Sequence, residues 1–127
     1  MSIRQGERAE QFVAREYDLD HTPEAEWYDC INPRTGTKYE VKSTSDMIGD
    51  EYPEEGRFRL WEEQHRSLTA AEGQNAAWYV FLVDGGDMRR VKPSTVTKWV
   101  NSRGGWNRAG HSRRDGKQHK LPVSDVF

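Results

Sequence analysis

The chain has 127 residues, enough for one domain and too few for two ordinary ones, so residues 1–127 are expected to form a single domain. Leu, Ile, Val and Phe number only 21, but five Trp and five Tyr add apolar bulk, and a net charge of −2 is too small for a typical disordered chain. No apolar run approaches the roughly 18 residues of a membrane span, and the N-terminus shows no apolar stretch typical of a secretory signal, so a cytoplasmic protein is expected. The single cysteine, Cys30, excludes an intrachain disulfide and a cysteine-based zinc site.

The first predicted element is a helix over residues 4–17, followed by a polar loop over residues 18–25. At about 100° per residue, four apolar side chains share one face of this helix: Ala9, Phe12, Val13 and Tyr17. Residues 26–44 are predicted to form a β-hairpin, because two strand-like segments flank the turn-forming sequence NPRTGT. An acidic loop is predicted over residues 45–56.

The rest of the chain is predicted to alternate strands and helices. The strand GRFRL precedes a helix that begins near Trp61 and ends at Gly73, and the apolar segment AAWYVFLVD predicts a buried central strand. MRRVK is predicted to be the returning strand, and Pro93 to lie in the first turn of a further helix. Residues 104–120 are basic and show no periodicity, and LPVSDVF is predicted to be a short edge strand. This order predicts an α/β fold in which a mixed sheet is flanked by helices.

Two acidic residues and a lysine on the predicted hairpin indicate a chemical site. Glu40 and Lys42 point to the same face of their strand, whereas Val41 points into the core. If the hairpin pairs, Asp29 on the preceding strand reaches the same patch. Converging carboxylates repel each other unless a cation lies between them, and Mg²⁺ prefers such oxygen ligands. A lysine beside the metal can hold the attacking water and offset the negative charge that develops during phosphodiester cleavage.

The motif Asp29 … Glu40-Val41-Lys42 resembles the core signature of the PD-(D/E)XK nuclease superfamily. Tyr28 stands before Asp29, where the name of the family has proline. Asp18 and Asp20 are alternatives for the first acidic position, although they lie in the predicted polar loop.

Other segments extend the resemblance over roughly residues 4 to 91. The sequence GERAEQFVA, with Gly6 and Glu10, resembles the opening helix of archaeal Holliday-junction resolvases and Mrr-like nucleases. Gln64 stands where many members have a Gln or Glu in the site. The resemblance implies a restriction-endonuclease-like fold, with a mixed β-sheet of about five strands flanked by helices.

The resemblance also implies an activity and a set of roles. It implies a Mg²⁺-dependent DNA endonuclease, with Mn²⁺ as a substitute, that acts in DNA recombination or repair and includes structure-specific enzymes of the Holliday-junction-resolvase type. The implied metal ligands are Asp29, Glu40 and the carbonyl of Val41, with Glu10 completing the site directly or through water. Lys42 is implied to position the attacking water, and Gln64 to orient either Lys42 or a metal ligand. A homodimer is expected, and neither a nucleotide cofactor nor a membrane partner is expected.

The charge of the chain is unevenly distributed. Residues 1–87 contain 19 acids and 9 bases, whereas residues 88–127 contain 10 bases and 2 acids. These numbers fit two solvated surfaces, or an acidic body that holds a metal beside a basic surface that holds DNA. In the second interpretation, the basic C-terminal segment, about residues 103–120, contacts the phosphate backbone of DNA. The candidate nucleic-acid-binding residues are Ser43, Thr44, Arg103, Arg108, Arg113, Arg114 and Lys117. Trp106 fits a nucleic-acid contact and a cap on the core equally well.

Three alternatives remain from the sequence. A restriction-type nuclease fits nearly as well as a resolvase. A catalytically silent DNA-binding module of the same fold is a second alternative, against which the intact Glu40 and Lys42 argue. A small acidic structural protein in which Glu-x-Lys is coincidental is the third.

Overall fold

A computed structural model describes residues 5–49, 51–84, 86–108 and 116–127 of this chain. Its helices are α1 (Gln5–Glu16), α2 (Glu62–Glu72), α3 (Pro93–Ser102) and α4 (Val123–Val126). Its strands are β1 (Asp20–His21), β2 (Cys30–Ile31), β3 (Lys38–Thr44), β4 (Met47–Ile48), β5 (Glu54–Glu55), β6 (Arg57–Trp61), β7 (Ala77–Val83), β8 (Met88–Val91), β9 (Asn107–Arg108) and β10 (Lys117–Pro122). Within these ranges, no helix is long and apolar enough to cross a membrane.

The main sheet has five strands in the order β1-β2-β3-β7-β8. Strands β3 and β7 pair in parallel along their whole length, and the other neighbours pair in antiparallel fashion. The parallel pair requires a crossover, and β6 with α2 lies within that connection. The predicted mixed sheet of about five strands, flanked by helices, is confirmed.

The two faces of this sheet have separate apolar cores, because side chains alternate along each strand. On one face, Val41 and Val80 pack with Val13 of α1. On the other face, Tyr79 and Phe81 pack with residues of β6, α2, α3 and β10. Glu40 lies opposite Tyr79 and Lys42 opposite Phe81, so the predicted shared face of Glu40 and Lys42 is the second of these.

A second sheet has the order β6-β10-β9, with antiparallel pairing throughout. The prediction that residues 104–120 lack periodicity is therefore wrong for the part of this segment that the structure describes. In β10, His119 and Leu121 are buried, whereas Lys120 is exposed. This alternation is concealed in the sequence because one of its inward residues is a histidine.

The predicted C-terminal edge strand is also wrong. Leu121 and Pro122 end β10, which lies between β6 and β9 rather than at an edge, and α4 follows. The predicted loops over residues 18–25 and 45–56 contain the two-residue strands β1, β4 and β5. Such short, exposed pairs bury too little apolar surface to leave a recognisable sequence pattern.

Candidate active site

The site forms where β2 and β3 separate. Their last paired residues are Cys30 and Tyr39, after which the backbone N–H of Asp29 donates to the Tyr39 carbonyl at 2.9 Å. One step further, Asp29 Oδ2 accepts a hydrogen bond of 2.8 Å from the backbone N–H of Val41. The side chain of Asp29 thus takes the place of a neighbouring strand. Because the N–H and C=O of one residue point to the same side of a strand, the Val41 carbonyl also faces this opening.

Glu40 and Lys42 occupy the same face of β3, as predicted. Glu40 is only 2% exposed, and its Oε2 lies 3.0 Å from Lys42 Nζ. Lys42 Nζ also donates to Gln64 Oε1 at 2.9 Å, and Gln64 lies in the first turn of α2. Two acceptors therefore fix the position of the Lys42 ammonium group. Gln64 thus contacts Lys42, which is one of the partners that the sequence resemblance implied for it.

One carboxylate oxygen of Glu40 is left without a donor. Glu40 Oε1 is buried and has no hydrogen-bond partner among the described residues. The Asp29 carboxyl lies close enough to share a proton with Glu40, but two ionised carboxylates have no hydrogen to donate to each other. A buried acceptor in this state is costly to maintain, and a cation would relieve the cost.

Burial and mutual repulsion oppose ionisation of these acids. The pKa of Glu40 is raised well above its usual value, first by burial and then by Asp29, against the opposing effect of Lys42. The pKa of Glu10 is also raised, first by burial and further by Asp29, while His21 lowers it. Asp29 therefore interacts with both glutamates. Burial, followed by the charges of all three acids, raises the pKa of Cys30 to about 12.

A histidine that the sequence did not suggest also belongs to this cluster. His21 Nε2 lies 2.8 Å from Glu10 Oε1, and both side chains are about one-fifth exposed. Pairing of β1 with β2 sets His21 opposite Cys30, next to Asp29. In the sequence His21 lies in a polar segment without periodicity, so no local signal identifies it.

The acids fit a hard divalent cation that keeps several water ligands. Across the described ranges, no group of three or more His, Cys, Asp or Glu side chains is arranged so that it could hold a metal ion. Mg²⁺ does not need such a group, since one or two carboxylates plus water suffice. The donor-free oxygen of Glu40 and the adjacent Asp29 carboxylate supply such a pair.

The predicted DNA-contacting residues are scattered. Thr44 shares the face of Glu40, whereas Ser43 lies on the opposite face, next to Leu82 in the β3–β7 register. Arg103 makes a two-point contact with Asp125, at 2.9 and 2.7 Å. Arg108 and Lys117 are exposed and lie opposite each other across β9 and β10; Arg113 and Arg114 lie outside the described residues.

Trp106 is partly buried and packs against the core. Its ring centroid lies 5.3 Å from that of His65 and 6.3 Å from that of His119. Of the two interpretations of this residue, the structure therefore supports the cap on the core.

A mixed sheet with an acidic cluster and a lysine where two strands separate places this protein in the restriction-endonuclease-like class of folds. The chain belongs to the PD-(D/E)XK nuclease superfamily, whose domain matches residues 1–127. It is similar in structure to Hjc, a Holliday junction resolvase from the archaeal hyperthermophile Archaeoglobus fulgidus, with a TM-score of 0.52 and 16% sequence identity. That match covers 97% of this chain and 95% of Hjc, and at this identity it shows a shared fold. No curated protein sequence matches the chain. The resemblance drawn from the sequence motifs is confirmed at the level of the superfamily.

Proposed function

We propose that this protein is a Mg²⁺-dependent DNA endonuclease that hydrolyses phosphodiester bonds. The observation that carries the proposal is the buried carboxylate of Glu40, which has a donor-free oxygen beside Asp29 and a lysine 3.0 Å from its other oxygen. This arrangement combines a place for a cation with a fixed ammonium group. Both are needed to offset the negative charge that develops at a phosphorus atom under attack.

In this proposal, Asp29, Glu40 and the Val41 carbonyl would hold the ion, and Glu10 would join them through a water ligand. The bound ion supplies Lewis-acid activation and neutralises charge on the phosphate. Lys42 donates to the attacking water and orients it towards phosphorus, while Gln64 accepts another Lys42 hydrogen and fixes the ammonium group. The water oxygen bonds to phosphorus and releases one proton to solvent as the bond to the 3′ oxygen breaks, and the 3′ oxygen takes up a proton from solvent, which leaves a 5′-phosphate and a 3′-hydroxyl.

Branched DNA is the proposed substrate class. Hjc is named a Holliday junction resolvase, and the similarity in fold extends over nearly the whole of both chains. A homodimer with two sites would suit cleavage of a two-fold junction, and its interface would supplement a chain that has only 21 Leu, Ile, Val and Phe residues. We place this activity in DNA recombination or repair in the cytoplasm.

The direct test is cleavage of linear, nicked, four-way and single-stranded DNA in Mg²⁺, Mn²⁺, Ca²⁺ or EDTA. We expect products in Mg²⁺ and Mn²⁺ and none in Ca²⁺ or EDTA, with the four-way junction cut fastest. Preferential cutting of linear duplex would favour a restriction-type nuclease. Metal-independent binding without any cleavage would overturn the proposal in favour of a DNA-binding module.

A further inference from the structure

The second sheet has an unusual charge. Its three strands contain five basic residues and no acidic residue: Arg57, Arg59, Arg108, Lys117 and Lys120. The chain as a whole has more acids than bases, 21 against 19, so this composition does not reflect an average. Two of the five, Arg57 and Arg59, lie in the acidic first two-thirds of the chain, where no basic surface was predicted.

Alternation along β6 and β10 turns three of these cations outward. Phe58 and Leu60 are fully buried against the core, which sends Arg57 and Arg59 to the outer face. Lys120 is exposed on the same face, because it lies directly opposite Arg59. We call these three residues, Arg57, Arg59 and Lys120, the outer basic face.

This arrangement of charges lowers the stability of the folded protein. Like charges directly opposite each other on neighbouring strands destabilise a sheet, and Lys120 and Arg59 are such a pair. None of the three cations forms an ion pair with a residue that the structure describes. Protection of a sheet edge is one role for such cations, since β6 is an edge strand and, among the described residues, β9 pairs only with Lys117 and Gln118 of β10, but it does not require two cations to lie directly opposite each other.

Strand β6 is tied to the segment after β3 at one end and to the candidate active site at the other. Before β6, Gly56 donates to the Asp46 carbonyl at 2.9 Å, and a Cβ there would lie 1.7 Å from the Ser45 carbonyl oxygen, just beyond the end of β3. After β6, α2 brings Gln64 to Lys42 at 2.9 Å. Strand β6 is therefore held beside the strand that carries Glu40 and Lys42.

We infer that the outer basic face, which points away from the core that Glu40 and Lys42 face, binds the phosphate backbone of the nucleic-acid substrate where the substrate extends beyond the site. This inference rests on the proposed function. Arg57 and Arg59 are two strand residues apart, about 7 Å, and Lys120 extends the cationic surface onto the next strand. Contacts of this kind fix the position and orientation of a nucleic acid without selecting a base sequence. A polyanion also supplies the counter-charge that the Arg59–Lys120 pair lacks.

The test replaces all three cations with glutamine, as Arg57→Gln, Arg59→Gln and Lys120→Gln in one protein. Binding of fluorescently labelled duplex and four-way-junction DNA is measured by anisotropy in EDTA over a range of salt concentrations. Each lost phosphate contact lowers the log–log salt slope by about 0.9, so we expect a slope smaller by up to about 3. At about 0.1 M salt, we expect a loss of affinity on the order of tenfold or more for every DNA sequence.

A matched control removes the same charge elsewhere. Arg15→Gln, Arg34→Gln and Lys98→Gln change exposed cations on α1, on the β2–β3 turn and on α3. We expect this control to bind with the slope of the wild type. Since the outer basic face opposes like charges, its triple variant should melt at a temperature no lower than the wild type. Should the triple variant melt lower, the single change Lys120→Gln, with an expected slope change of about 0.9, replaces it.

The outcomes separate this inference from the proposed nuclease activity. A wild type that cleaves DNA, with a triple variant of unchanged affinity and slope, overturns the inference alone. If the wild type never cleaves DNA but the triple variant binds DNA more weakly than the wild type, the proposed nuclease activity is overturned and the inference about the outer basic face is supported. A wild type that binds no DNA overturns both. A last outcome is that the triple variant loses binding to vesicles of phosphatidylserine and phosphatidylcholine but keeps its affinity for DNA. That result would overturn the inference, because the ligand of the outer basic face would then be a membrane surface.

Discussion

The carboxylate of Asp29 accepts a hydrogen bond of 2.8 Å from the backbone N–H of Val41. Val41 lies between the two polar residues that face the site, so this one bond fixes Asp29 next to Glu40 and sets the local course of β3. The same carboxylate has two effects on stability. It stabilises the strand by accepting the hydrogen bond, and it destabilises the site by repelling Glu40 and Glu10.

Two substitutions of Asp29 separate these effects. Asp29→Asn keeps an oxygen that accepts from Val41 and removes the charge, so in EDTA we expect a free energy of unfolding equal to or above that of the wild type. Asp29→Ala removes the acceptor as well and should cost about 1 kcal/mol. Urea unfolding in EDTA measures both. Equal destabilisation by the two variants would show that the hydrogen bond and the charge do not act in this way.

Metal binding should stabilise the fold through Glu40. An ion that binds only the native state adds about 2.7 kcal/mol at a concentration of 100 times its Kd, so the melting temperature should rise with Mg²⁺ and Mn²⁺. Glu40→Gln retains the side-chain shape but not the charge, and we expect it to lose most of this rise. The exposed Glu24→Gln should keep it. A rise of the same size in Glu40→Gln would place the metal elsewhere.

The sequence predicted the structure best where apolar residues recur with the period of a strand or a helix and are also buried. Val41 is 8% exposed, and Glu40 and Lys42 face the opposite way, as alternation along the strand predicts. Helix α1 begins and ends close to its predicted bounds, because several apolar residues mark one of its faces, and α3 begins at Pro93 as predicted.

Long-range pairing could not be predicted in this way. Strand β10 pairs with β6 about 60 residues earlier, and its inward residues are His119 and Leu121, a pattern too mixed in polarity to stand out. His21 reaches Glu10 only because a two-residue strand pairs with β2. Such contacts depend on the tertiary fold, and composition near them carries no periodic signal.

Replacing Lys42 should separate catalysis from binding. Lys42→Ala removes a fixed positive charge beside the proposed metal site, and loss of one such group typically lowers the rate by ~10²–10³. We expect Lys42→Ala to fold and to bind DNA with near wild-type affinity, as measured by circular dichroism and anisotropy. Gln64→Ala should cause a smaller loss of rate, because it frees the ammonium group without removing it.

Two controls sharpen the Lys42 experiment. Lys98→Ala removes an exposed lysine of α3 and should cleave at the wild-type rate. Val41→Asp buries a charge in the core between α1 and the sheet and should fail to fold. Wild-type cleavage by Lys42→Ala would contradict the proposed role of this lysine.

The basic C-terminal segment makes a separate prediction. If Arg113, Arg114 and Lys117 contact phosphates, changing all three to Ala should weaken DNA binding across all sequences and reduce the salt slope by roughly one unit per lost contact. Unchanged affinity at low salt would make this segment a solvated flank. Arg103 differs from these residues, because its guanidinium group is already paired with Asp125.

A buried histidine joins three elements that pack around the core between β6, β7, β10, α2 and α3. His65 is 5% exposed, and its Nδ1 lies 2.8 Å from the Tyr79 hydroxyl and its Nε2 2.7 Å from Thr97 Oγ1. Thr97 donates its own hydrogen to the Pro93 carbonyl, so its oxygen accepts from Nε2–H, and Nδ1 accepts from Tyr79. This network satisfies the neutral imidazole at both nitrogens, and it joins α2 to β7 and α3.

Burial lowers the pKa of His65 from 6.5 to about 4, although Glu72 and Glu62 act in the opposite direction. Between these two values the unfolded chain binds a proton that the folded protein excludes. Stability from this residue therefore falls as pH decreases from about 6.5 to about 4, is fully present above 6.5, and amounts to about 3 kcal/mol. Urea unfolding of the wild type and His65→Gln from pH 4 to 8 measures the difference directly, since carboxylates that titrate in both proteins cancel. We expect His65→Gln to be less stable at pH 7 and the difference to shrink towards pH 4; a difference independent of pH would show that folding does not shift the pKa of His65.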